Sequence, residues 1–298
     1  MRRVLVALAI TAALRADAGT VKSLVVCLDG LRADAVGPGD TPAVERLADG
    51  HWQPGIRAFF APHAHVIPDA PSVSGPNHAA ILTGVTAVQH GVHSNATAAL
   101  ANVAQLDYLA ILETRNPALS TAKLAAWAPD ERIPTGADAT TIAPDDTLVD
   151  RAATLLAGNV DALFLFLDGP DAAGHAKGFG GTAYLAAVAH ADRAIDRLLD
   201  VIAARPSFAT EDWQIVVTTD HGGLGRDHGG TSDDETTIPF LVASPHADPA
   251  ASRDGVRNVD VTPTVLAHFG IDPTVELTTR ARRPYRLDGV ARVPVTPR

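Results

Sequence analysis

The residues of this chain that could do chemistry stand at the ends of its apolar runs. Ile215-Val216-Val217-Thr218-Thr219 leads directly into Asp220-His221-Gly222-Gly223, and a second pair, His228-Gly229, follows. A buried strand fixes position and glycines let the backbone fold back, so such a run delivers carboxylate and imidazole groups to the mouth of a sheet. Leu24–Leu28 likewise ends in Asp29, and Ala162–Leu167 ends in Asp168. Asp171 and His175 follow at a spacing of four, which one helical turn brings to one face. In an open α/β sheet, ligands bind outside the carboxyl ends of the strands. Asp29, Asp171, His175, Asp220, His221 and His228 are therefore expected to converge. Imidazole and carboxylate without thiolate suit zinc, with manganese or iron as substitutes. Six such ligands exceed what one catalytic zinc needs and suit two ions sharing a site. Asp168, Asp227, Asp233, Asp234 and Glu235 read as solvated turn residues, and the remaining histidines, His78 among them, as surface or core residues.

A second stretch offers a nucleophile. Ser72-Val73-Ser74-Gly75-Pro76-Asn77-His78 runs into Ala79-Ala80-Ile81-Leu82, a loop entering a helix with Pro near its first turn. A serine there faces unpaired backbone N–H groups and the positive end of the helix dipole, which suits a phosphoryl group. Ser74 is the candidate nucleophile, and helix N-capping is its alternative role.

The elements that must position these groups follow from the pattern. Apolar runs at Leu24–Leu28, Lys123–Trp127, Ala162–Leu167 and Gln214–Thr218 alternate with helix-like stretches after Thr41, at Pro76–Leu82, Leu100–Glu113, Asp146–Leu156 and Thr182–Ala204. The fold class expected is α/β, a mostly parallel central sheet with helices on both faces. Ile238–Val242 reads as a further strand, peripheral because Pro239 donates no ladder hydrogen bond, and Asp260–Phe269 as a late helix.

Residues 1–18 read as a signal peptide: Arg2 and Arg3, an apolar run from Val4 to Leu14, then Ala16-Asp17-Ala18. Residues 19–298 are then a single catalytic domain, exported to a periplasmic or extracellular space with no membrane anchor. The single cysteine, Cys27, excludes an intramolecular disulfide and reads as a core residue. A formal net charge of −10 disfavours binding to a nucleic-acid polymer.

Taken together, the motifs resemble the alkaline phosphatase superfamily, and most closely its nucleotide pyrophosphatase/phosphodiesterase branch. The residues that carry the resemblance are Asp29-Gly30, Ser74-Gly75-Pro76-Asn77-His78, His90-Gly91 with Asn95, Pro170-Asp171-Ala172-Ala173-Gly174-His175, Asp220-His221-Gly222 and His228-Gly229. The resemblance implies one zinc held by Asp171, His175 and His228, and another held by Asp29, Asp220 and His221 and touching Ser74. It also implies a small phosphoester as the partner, and attack by Ser74 through a phosphoserine, with Asn95 and a backbone N–H near Gly75 binding the non-bridging oxygens. Serine stands where that branch mostly has threonine. A phosphomonoesterase or phosphonate hydrolase on the same scaffold is the nearest alternative, with Lys123 and Lys177 as the cations a monoester dianion would need. A sulfatase is disfavoured because Ser74 is not followed by the Pro-x-Arg of the sulfatase modification motif. From a different class, the chain could bind metal or an anion without turnover.

Overall fold

Alternation along the first strand sets the layers. In the computed structural model, which describes residues 20–37 and 39–297, Leu24, Val26 and Leu28 of β1 (Thr20–Leu28) enter one apolar core, while Val25 and Cys27 enter another on the opposite face. The helices Pro42–Ala48, Asp145–Ala157 and Thr182–Ala203 pack on the first face. Ser74–Thr83, Tyr108–Arg115 and Val261–His268 pack on the second. A sheet buried on both faces explains why its strands read as unbroken apolar runs.

The remaining strands of the sheet are β2 (Arg57–His65), β3 (Thr121–Ala125), β4 (Ala139–Ile142), β5 (Ala162–Leu167), β6 (Glu211–Thr218) and β7 (Thr237–Ser244). Their order is β2-β7-β6-β1-β5-β3-β4, with β7 antiparallel to both neighbours and the other pairings parallel. The α/β expectation is thus met. β1 lies between β5 and β6, with Cys27 in register with Phe166 and Thr218. The three strands that end in acid are therefore adjacent, and their carboxyl ends lie side by side.

Several local expectations are corrected. β7 is interior, not peripheral, because Pro239 falls where the β2 register jumps between Ala61 and Ala64 and just beyond the last β6 pair, Thr218 with Phe240. No ladder partner needs its missing N–H. The stretch Leu100–Glu113 is two helices, Thr97–Ala101 and Tyr108–Arg115, because Asp107 caps the second by accepting from the Ala110 N–H at 2.8 Å. The strand from Lys123 ends at Ala125 rather than Trp127. Thr41 precedes its helix without a side-chain capping bond. Instead the buried Asp192, from Thr182–Ala203, accepts from the N–H groups of Ala43 and Val44 at 3.0 Å each. In that same helix Leu185 is exposed and Tyr184 takes the buried position. β2 and β4 have no counterpart in the sequence reading. The leader expected at residues 1–18 lies outside the described residues, and among those described no helix is long and apolar enough to cross a membrane.

Candidate metal centre and active site

Each candidate ligand stands where a strand stops. Asp29 follows β1, and its backbone N–H still bonds to Leu167 O at the end of β5. Asp171 and His175 occupy successive turns of the helix Gly169–Lys177 that leaves β5, with His175 Nε2 3.3 Å from Asp171 Oδ2. Asp220 and His221 follow β6 by way of Thr219, and the glycine-rich loop returns His228 to the same place. Two trios result. Asp171, His175 and His228 form one, with His228 Nε2 3.1 Å from His175 Nε2 and 3.6 Å from Asp171 Oδ1. Around the other, His221 Nε2 lies 3.3 Å from Asp29 Oδ1 and 3.3 Å from Asp220 Oδ2. Asp171 also comes close enough to Asp29 and His221 to share an ion with them, while Asp220 clusters as well with His78 and Cys27.

Tautomers decide what these trios can do. His175 Nδ1 faces Arg226 O at 2.8 Å, His221 Nδ1 faces Gly222 O at 2.8 Å, and His228 Nδ1 faces Ser72 O at 3.0 Å. A carbonyl oxygen only accepts, so each Nδ1 carries the proton and each neutral ring keeps its lone pair on Nε2. Burial pushes the pKa values of His221 and His228 down, which keeps them neutral. The Nε2 lone pairs of His221 and His228 then face buried carboxylate oxygens that have no hydrogen-bond partner, Asp29 Oδ1 and Asp171 Oδ1, while His175 Nε2 faces Asp171 Oδ2. Acceptors turned on acceptors in a buried site fit a cation, and backbone carbonyls on the far nitrogens are the usual outer shell of metal-bound histidines.

The electrostatics agree. Burial, with Asp220 and Asp171 nearby, raises the Asp29 pKa well above the usual carboxylate range. Burial likewise pushes Asp171 up to about 6. Asp220 is also buried, but the hydrogen bond and charge of His78 outweigh burial and hold it low.

Ser74 opens the helix Ser74–Thr83, with Val73 as the N-cap residue, so Ser74 is not spent on capping. Its Oγ lies 3.3 Å from His221 Nε2 in a site where Ser74 is 4% exposed. Asn95 is exposed, and its Oδ1 accepts the Gly75 N–H at 2.7 Å. That N–H was expected to face substrate, and here it orients Asn95. Ser72 ties the loop before Ser74 to the loop that carries His228: its hydroxyl donates to Gly230 O at 2.9 Å and accepts from the Gly229 N–H at 3.1 Å. Asp227 accepts from the His228 N–H and belongs to neither trio. Glu235 is not a solvated turn residue: it is buried and closes a capping box with Ser232.

Sequence reasoning missed the support behind Asp220. His78 is fully buried, 2.9 Å from Asp130 Oδ1 and 3.2 Å from Asp220 Oδ2. Burial alone would lower its pKa, but Asp130 and Asp220 raise it to about 9. Ser74 and His78 are one helical turn apart, so spacing hinted at a shared face. Nothing local marked Asp130.

Known proteins match along most of this frame. The family model for type I phosphodiesterase / nucleotide pyrophosphatase matches residues 23–103, which hold Asp29, Ser74 and Asn95. The sulfatase family model matches residues 180–271, which hold Asp220, His221 and His228. A 2-O GAG sulfatase superposes over 91% of this chain and 73% of its own, with TM-score 0.65 and 15% identity. Human ectonucleotide pyrophosphatase / phosphodiesterase 5 does so over 84% and 95%, with TM-score 0.63 and 13% identity.

The chain resembles the alkaline phosphatase superfamily, in sequence over these two stretches and in fold over most of its length.

Members of this superfamily act on phosphoryl or sulfate esters. Curated relatives include the 2,3-bisphosphoglycerate-independent phosphoglycerate mutases of Thermomicrobium roseum, 31% identical over 121 residues, and Halobacterium salinarum, 34% identical over 137 residues. These alignments take in 38% and 44% of this chain but only 22% and 25% of the mutases. What this chain shares with these proteins is thus the fold over most of its length and sequence similarity over parts of it.

Proposed function

We propose that this chain hydrolyses phosphodiesters, with Ser74 as nucleophile and with two zinc ions, one held by Asp171, His175 and His228 and one by Asp29, Asp220 and His221. The observation that carries the reading is the approach of Ser74 Oγ to His221 Nε2, 3.3 Å, at the rim of buried oxygens that lack any partner. Manganese or iron would fit the same donors. The bound ions supply Lewis-acid polarisation and a lowered hydroxyl pKa.

The chain's own groups supply the rest. Ser74 sits at the first residue of a helix, where backbone N–H groups favour an anionic phosphoryl group. With its oxygen taken by Gly75, Asn95 has its amide N–H groups left to donate to a non-bridging oxygen. The Ser74 oxygen attacks phosphorus in line, the leaving alcohol departs, and water cleaves the resulting phosphoserine. Inversion at each of the two displacements leaves configuration at phosphorus retained.

Charge favours a diester over a monoester. A diester brings one negative charge and a monoester two, so a monoesterase is helped by a cation beside the metals. Among the described residues no Lys or Arg pairs with Asp29, Asp171 or Asp220. Lys123, the first candidate for that cation, is fully buried and donates to Asp130 O at 2.7 Å. Arg32 is held by Asp34, Asp234 and Gly223 O. In a related structure, murine ectonucleotide pyrophosphatase / phosphodiesterase 5 in an inactive form is in complex with AMP, a product such chemistry would release. The apolar leader supports export, and the acidic surface supports a small substrate rather than a nucleic-acid polymer.

Rapid quenching during turnover followed by peptide mass analysis tests the reading. A phosphoryl adduct on Ser74, absent in Ser74→Ala, is expected. Turnover in Ser74→Ala at the wild-type rate would overturn it.

A further inference from the structure

Glycine weakens a helix interior, so Gly174, within Gly169–Lys177, calls for a reason. A Cβ at Gly174 would lie 2.5 Å from Cε1 and Cζ of Phe179. A Cβ at Gly223 would lie 2.6 Å from Cδ1, Cδ2 and Cε1 of the same ring. Phe179 is thus wedged between the helix that carries Asp171 and His175 and the loop that carries His228. Neither backbone leaves room for a side chain against it.

The ring also touches both imidazoles. It meets His175 edge-on with centroids 5.9 Å apart at 73°, and His228 with centroids 6.4 Å apart at 86°. Tyr184 packs behind it at 5.5 Å, and the Phe179 N–H donates to Gly225 O at 2.8 Å, tying the turn after the helix to the ligand loop. His175 needs such a support. Its side chain is 43% exposed, and its Nδ1 is anchored by one carbonyl, Arg226 O. A ring held by one hydrogen bond can still pivot about it, and the Phe179 edge blocks that motion.

We infer that Phe179 is a positioning residue for the Asp171–His175–His228 site, holding two imidazoles so that their Nε2 atoms face one ion, and that Gly174 and Gly223 are glycines in order to admit its ring. The inference rests on reading that trio as a metal site. It assigns a role to a phenylalanine that neither binds metal nor touches substrate, and it explains the glycine of the Asp171-Ala172-Ala173-Gly174-His175 stretch by packing.

The test is zinc titration of the metal-free full chain against a chromophoric chelator, for wild type, Phe179→Ala, Phe179→Leu and Gly223→Ala, beside thermal unfolding of each metal-free protein. Loss of an outer-shell support typically weakens metal affinity about 10–100-fold. That loss is expected at one of two sites in Phe179→Ala, with the other site unchanged and part of the loss recovered in Phe179→Leu. Gly223→Ala should give the same one-site signature with the ring still present, so the comparison survives if Phe179→Ala does not fold. Wild-type affinity at both sites in these variants, or equal weakening at both, overturns the inference. Wild type that binds no zinc defeats the metal reading itself, whereas two tight zinc sites in both wild type and Phe179→Ala defeat only the role of Phe179.

Discussion

The side-chain oxygen of Asn95 accepts the Gly75 N–H at 2.7 Å, so the residue after Ser74 sets the orientation of the Asn95 amide. The contact is close enough to exclude a side chain. A Cβ at Gly75 would lie 2.6 Å from Ser94 O and 3.1 Å from Asn95 Oδ1. Gly75→Ala should therefore push the Asn95 loop outward and cost kcat/KM about 100-fold, the usual scale for a misplacement near 1 Å. Zinc content should not change, because no ligand lies on that loop. Steady-state kinetics with parallel metal analysis checks both halves.

Removing the donor itself should cost more than moving it. Asn95→Ala is expected to lower kcat/KM about 100- to 1,000-fold, as for other donors to a developing oxyanion. Asn95→Asp keeps an acceptor for Gly75 but loses the amide N–H groups, so it should match Asn95→Ala in rate while unfolding at the wild-type temperature. A wild-type rate in Asn95→Asp would remove the amide from the mechanism.

Stability should depend strongly on the pair behind Asp220. His78 and Asp130 are both fully buried and 2.9 Å apart. His78→Leu leaves the Asp130 carboxylate buried without its partner and should destabilise the protein by about 3–5 kcal/mol. Replacing both by leucine should recover only part of the loss, since the buried Asp220 carboxylate still loses His78. Urea unfolding of the two variants decides it. A single variant as stable as wild type would mean that the pair contributes nothing.

Acid should weaken the fold partly through His90. Burial lowers its pKa to about 4, and its Nδ1 accepts from the Val92 N–H at 3.0 Å. The native state then binds a proton less readily than the unfolded chain. Stability from this group is complete above the unfolded histidine pKa, about 6.5, and is lost as pH falls from there to about 4. His90→Asn keeps an acceptor near the same place without titrating. Its melting temperature should fall less than that of wild type between pH 7 and pH 4, and parallel curves would contradict the assignment.

The sequence made some of this legible and hid the rest for physical reasons. β1, β5 and β6 are interior strands buried on both faces, so they stand out as apolar runs, and their terminal acids marked the site directly. β2 carries Pro62 and an irregular sequence of buried and exposed residues at the sheet edge, which blurs its signal. Asp130 lies 52 residues from His78, so no local pattern connects them. The protonated Nδ1 of His175, His221 and His228 depends on where a carbonyl falls in space, which residue types do not encode. The partner of the Gly75 N–H emerges only from the fold.

The central claim is a zinc-dependent, Ser74-dependent diesterase. The measurement closest to it is kcat/KM of the zinc-loaded chain for an aryl alkyl phosphodiester against the matched aryl phosphate, with Ser74→Ala alongside. The account predicts a larger value for the diester, and a loss in Ser74→Ala of several orders of magnitude, on the order of 10⁴-fold or more. A larger value for the monoester, or undiminished turnover without the Ser74 hydroxyl, would contradict it.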